Sequence, residues 1–120
     1  MPIQSYRDLR VWQESVSLAE LVYRTTRSFP KEEMFGLTSQ MRRASVSVAA
    51  NIAEGYGREN TGSYLQFLRI AQGSLKEVET HAIIAHRVGL LADEKLNAVL
   101  AKAESTGKML RSLIRAIEKA

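Results

Sequence analysis

Apolar residues recur at alternating spacings of three and four in four stretches of this chain, parted by helix breakers clustered at residues 29–36, 55–62 and 89–93. The first stripe, Leu9, Trp12, Val16, Ala19 and Tyr23, predicts a helix over residues 6–28, opened by Ser5 and Asp8 as a capping box. Pro30 lacks an amide hydrogen and suits the first turn of a helix, with Glu32 and Glu33 beside the positive end of the peptide dipoles. Gly36 separates that short turn from a second stripe, Leu37, Met41, Ala44, Val48 and Ile52. This helix is predicted to stop near Glu54, with Gly55 in the left-handed cap conformation.

The third stripe is the most regular, with Tyr64, Leu68, Ala71, Leu75, Val78, Ala82 and Ala85 following an Asn60 or Thr61 cap. Leu65, Phe67, Ile83, Ile84 and Val88 lie outside it and widen the apolar face beyond what one neighbouring helix needs, which predicts contact with another copy of the chain. The fourth stripe, Leu96, Leu100, Ala103, Gly107, Leu110, Ile114 and Ile117, opens with Asp93 as its predicted cap. Gly107 marks a position of close approach, and Val99, Met109 and Leu113 broaden the face. Helices of this size are about 30 to 40 Å long, and short loops between them favour antiparallel neighbours. The expectation is an all-α protein, an antiparallel up-down-up-down four-helix bundle forming one domain over residues 1–120.

Composition narrows the function classes. The chain has no cysteine, which excludes a disulfide framework and a thiolate metal site and agrees with a cytoplasmic protein. No apolar run approaches the roughly 18 residues of a membrane span, and the N-terminal residues lack the apolar core of a signal peptide, so no membrane role is expected. Seventeen Lys and Arg against 13 Asp and Glu leave a formal charge of +4, which is modest for one chain. An assembly of several copies would multiply that charge and attract a polyanion.

The candidates for chemistry are few. Glu54, Glu77, Glu79, His81 and His86 are the possible metal ligands, but the chain has no Glu-x-x-His motif and its two histidines are not at metalloprotease spacing. No metal or other cofactor is expected. There is no Gly-x-Ser-x-Gly, and Gly55-Tyr56-Gly57-Arg58 lacks the Gly-Lys-Ser/Thr ending of a phosphate loop, so that segment reads as a helix end and turn, and the protein as a non-enzyme.

Basic residues are the more informative set. Arg42 and Arg43 project about 100° apart on a helix, so only one can turn inward. Arg43 is assigned an ion pair with Glu77 or Glu79, because mid-helix carboxylates need a partner if buried. Arg58, in a turn beside Tyr56, is a candidate for an external anion. Lys108, Arg111, Arg115 and Lys119 form a strip on the last helix, and Arg69 and Lys76 form a second on the third. Neither strip is interleaved with aromatics, which points to phosphate contact rather than base stacking.

Residues 39–58 are crowded with small side chains, with Asn51 and Glu54 set among them. Together with the opening Tyr6 to Trp12 run, Phe29-Pro30 with Glu33, Leu37 to Gln40, Arg43, Asn51 to Gly55, Arg58, Phe67-Leu68, Ala71, Gly73-Ser74, Glu77 and Glu79, they carry a resemblance over nearly the whole chain. The chain resembles the bacterial four-helix-bundle family named after proteins encoded in intervening sequences of 23S rRNA genes, also labelled S23. Where relatives often have an acidic residue early in the third helix, this chain has Ser63.

The resemblance implies a homopentameric, barrel-like ring. It also brings in the accessory variability determinant of diversity-generating retroelements, a basic family member that binds nucleic acid and a reverse transcriptase. Arg43, Asn51, Glu54, Glu77 and Glu79 read as the polar signature of packing and assembly. Arg58, Arg69, Lys76, Lys108, Arg111, Arg115 and Lys119 are the residues expected to face structured RNA or DNA. The alternative is a protein-interaction scaffold whose charge is incidental.

Overall fold

A computed structural model describes residues 3–120, so the first two positions of the expected domain lie outside the described residues. Four helices make up most of it: α1 (Arg10–Thr26), α2 (Leu37–Tyr56), α3 (Thr61–Arg87) and α4 (Asp93–Lys119). Each packs on its chain neighbours and α1 closes on α4, while α1 and α3, like α2 and α4, lie diagonally across a bundle of 45 × 24 × 21 Å. Cross-helix pairs fix the antiparallel sense: Ser47 bonds Ser74, Arg69 meets Glu118, and His86 meets Asp93. No strand occurs among the described residues, and no helix is long and apolar enough to cross a membrane.

The stripes of α2 and α3 fill the core as their spacing predicts, whereas α4 follows its stripe at Ala103, Leu110 and Ile114 but buries Val99 and Thr106 in place of Leu100 and Gly107. Met41, Val48, Ile52, Leu68, Val78 and Leu110 are fully buried, and Ala71, Ala82 and Ala103 let the helices close around them. Gly107 does what its position suggests, since a Cβ there would lie 3.3 Å from Leu75 Cδ2.

The first helix differs from expectation in two ways. Its N-terminal part is a separate 3-10 turn, Tyr6–Asp8, and the Ser5–Asp8 capping box closes that turn; Leu9 is extended, and α1 begins at Arg10. The buried stripe is also one position off the predicted one. Val11, Ser15, Leu18 and Val22 face inward, while Tyr23 is exposed. Two of the buried hydroxyls bond to carbonyls of their own helix, Ser15 to Trp12 O at 2.7 Å and Thr26 to Val22 O at 2.8 Å, which lets polar residues occupy the core face, while the buried Thr25 hydroxyl finds no partner.

Two further helix ends differ from expectation. α2 runs through Gly55 to Tyr56, and Gly55 serves close packing instead of a left-handed cap. That conformation occurs at Gly89, φ 84°, where Leu90 N donates to Ala85 O and Gly89 N to His86 O, the paired bonds of a Schellman motif. Asp93 does not cap α4; it is the first helical residue, after Ala92, and its carboxylate bonds His86 across the loop. Asn60 caps α3 as expected, accepting from Ser63 N at 2.9 Å.

Candidate nucleic-acid interface

The basic residues separate into those that hold a carboxylate and those that do not. Arg69 Nη2 lies 2.8 Å from Glu118 Oε2, Lys76 Nζ 3.1 Å from Glu79, and Lys108 Nζ 3.5 Å from Glu104. Arg111, Arg115 and Lys119, exposed one turn apart on α4, have no ion-pair partner among the described residues. The two predicted strips meet at one point, because Lys76 and Arg111 border the same shallow groove between α3 and α4, which also contains Gly73 and Gly107. An anionic chain lying along α4 would find cations there at intervals of about 6 Å, the rise of one helical turn of four residues.

Arg58 does not join this strip. It sits at the α2–α3 turn, its guanidinium 4.7 Å from the centre of the Phe67 ring and 3.7 Å from the Glu54 carboxylate. With the ring on one face and a carboxylate beside it, Arg58 is a weaker anion ligand than its turn position suggests. Tyr64 packs edge-on against Tyr56 nearby, and burial first, then Tyr56, raises its phenol above the ordinary range, so the hydroxyl stays protonated at neutral pH.

The polar signature is only partly internal. Asn51 donates to Ser47 O at 2.8 Å and to Ser47 Oγ at 2.9 Å, and Ser47 meets Ser74 Oγ at 2.9 Å, so this chain of bonds stitches α2 to α3. Glu54 is exposed, and Glu79 is taken by Lys76. The expected ion pair of Arg43 with Glu77 or Glu79 does not form: Arg43 and Glu77 both stand exposed on one groove without an ion-pair partner among the described residues.

The inward arginine is its neighbour. Arg42 Nε donates to Thr26 Oγ1 at 2.9 Å, and its guanidinium lies 4.7 Å from the centre of the Tyr23 ring, both on α1. Sequence spacing gave no sign of this, because the acceptor is a threonine 16 residues away on another helix. Valine at Thr26 keeps the shape but removes the acceptor, and is expected to cost about 1 to 2 kcal/mol, since hydrogen bonds to charged groups are worth about 1.5 to 3. Urea unfolding reads this directly, and a loss under about 0.3 kcal/mol would show that Arg42 is held by the Tyr23 ring alone.

No group of three His, Asp or Glu side chains able to hold a metal comes together among the described residues. His81 stands in the α2–α3 groove with its Nδ1 buried and unbonded, apart from His86, which is occupied by Asp93.

Known proteins place this arrangement. A solved structure of a protein of unknown function from the S23 ribosomal protein family of Bacteroides thetaiotaomicron is similar to it, with a TM-score of 0.80 and 22% sequence identity over 88% of this chain and 95% of that one. At that identity the likeness is one of fold. No curated protein sequence matches significantly. Residues 7–112, from within the first turn to just past Arg111 on α4, match the sequence model described as 23S rRNA-intervening sequence protein. The chain belongs to the 23S rRNA-intervening sequence protein family.

Proposed function

We propose that this protein is a non-enzymatic, cytoplasmic nucleic-acid-binding bundle that assembles from several copies, five in a ring on the family resemblance, and grips the phosphates of structured RNA or DNA along α4. The observation that carries the reading is the exposed strip Arg111, Arg115 and Lys119, free of ion-pair partners among the described residues. Unneutralised cations on one straight helix face gain most from releasing the counterions of a polyanion. A structured RNA, whose closely spaced phosphates suit such a strip, is the first ligand to try.

The strip makes a quantitative test possible. Three phosphate contacts per engaged copy give a slope of about −2.7 for log affinity against log salt, or about 40-fold weaker binding between 50 and 200 mM. Fluorescence anisotropy with a labelled RNA hairpin measures that slope, and glutamine at all three positions should remove it while leaving the helical signal intact. An unchanged slope would take α4 out of the interface.

No binding at 50 mM salt would end the nucleic-acid reading and favour a protein-interaction scaffold. The exposed apolar side chains Phe35, Ile70, Ile84 and Val88 are the observation behind that second reading, and the reverse transcriptase implied by the resemblance is its natural first partner.

A further inference from the structure

Among the described residues, large apolar side chains left in solvent lie mostly on α2, the turn before it and α3; α4, as long as α3, leaves none. Phe35 is 95% exposed, Val88 61% and Ile70 46%. A helical protein has no need of this excess on one side of the bundle, and on the same side Arg43 and Glu77 lack ion-pair partners among the described residues.

The register of α2 on α3 orders these groups. Gly55 lies against Phe67, Ser47 against Ser74, and Arg43 borders the same groove as Glu77, so each step along α2 matches an equal step back along α3. Arg43 and Glu77 therefore stand at one height on the bundle. By the same register Ala50, small and exposed, stands level with Ile70. Phe35 and Met34, just before α2, are at the end of the bundle where α3 carries Ile84 and Val88.

We infer that this face forms the seam between neighbouring copies, α2 of one against α3 of the next, with Arg43 of each copy on Glu77 of its neighbour. A rotation about an axis parallel to the helices leaves every residue at its own height and sets α2 of one copy against α3 of the next. Opposite charges then meet at Arg43 and Glu77, a small residue meets a large one at Ala50 and Ile70, and the apolar ends meet at Phe35, Ile84 and Val88. The α2 and α3 edges of the face are thus complementary in charge and in size. A nucleic acid would meet Glu77 and bare apolar side chains there, which is poor chemistry for phosphates. The inference rests on the oligomeric part of the proposed function and specifies its seam.

Charge reversal separates the two claims. Light scattering on the wild-type chain and on Arg43→Glu, Glu77→Arg and the double variant, with circular dichroism as the check on folding, gives four readable results. Each single reversal sets like charges together and should raise the dissociation constant of the assembly at least about 10-fold; the double reversal should restore it. Assembled single variants would move the seam elsewhere and leave the oligomer standing. Dissociated singles without rescue in the double would remove the Arg43–Glu77 pairing. A wild-type monomer at about 100 μM would overturn the seam and the oligomer together. Ile84→Ser is the second probe, tests the face without touching charge, and should weaken assembly in the same direction.

Discussion

Truncating Leu68 to alanine is expected to lower the unfolding free energy by about 2 to 5 kcal/mol, while the same change at Ile84, on the same helix, should cost less than about 1 in dilute solution. Leu68 is fully buried; Ile84 is 44% exposed. Removing buried methyl groups forfeits their transfer free energy and leaves a cavity that neighbours only partly fill, and here the neighbours are helices with little freedom to collapse. A domain of this size is stable by about 5 to 15 kcal/mol, so the Leu68 variant gives up a sizeable part of the whole. Urea unfolding at low protein concentration, with the slope checked for constancy, measures both. A cost under about 1 kcal/mol at Leu68 would contradict its place in the core. A cost of 2 or more at Ile84 would mean that something outside the chain covers it, and its dependence on protein concentration would tell whether that is a second copy.

How far the fold could be read in advance depended on what filled the core. α3 buries Leu, Val and Ala at spacings that only one helix face satisfies, and its stripe was legible; α4 was legible at Ala103, Leu110 and Ile114 but not at Val99 and Thr106, which it buries as well. α1 buries Ser15, Thr25 and Thr26 as well, and leaves Tyr23 in solvent. A stripe chosen for hydrophobicity alone therefore rotates by one residue, because the hydroxyls of Ser15 and Thr26, bonded to their own helix, are as acceptable inside as an alanine.

The candidate site was legible as a list of cations and not as a surface. Whether a cation is free depends on carboxylates that sequence spacing does not bring near. Arg69 is neutralised by Glu118, 49 positions on, and Lys102 by Glu14, 88 positions back. Only the i, i+3 and i, i+4 pairs, Lys76 with Glu79, Lys108 with Glu104 and Arg58 with Glu54, could be read from the chain. The choice between Arg42 and Arg43 was of the same kind. Both lie on the helix made of small residues, and an acceptor on α1 decides which turns inward. What remained legible was the composition of α4, whose last turns carry Arg111, Arg115 and Lys119.

Glycine to alanine should change stability in opposite directions at Gly55 and Gly73, although both sit inside helices. A Cβ at Gly73 meets nothing within 4 Å, so alanine there contributes its better helix propensity, about 1 kcal/mol, and stabilises the chain. At Gly55 the same carbon would fall 2.9 Å from Phe67 Cβ, 3.0 Å from Tyr64 Cδ1 and 3.2 Å from Tyr64 O. Two of those three atoms are fixed to the α3 backbone, and no rotamer moves them away. α2 and α3 would have to separate, at a cost of about 1 to 3 kcal/mol that outweighs the propensity gain. The expected pair of results is a rise in melting temperature for Gly73→Ala and a fall of several degrees for Gly55→Ala. Valine at Gly55, with two further methyl groups directed at the same contact, should fall further. If alanine stabilised both positions, the close approach of α2 and α3 at Gly55 would be wrong, and with it the register that puts Arg43 level with Glu77.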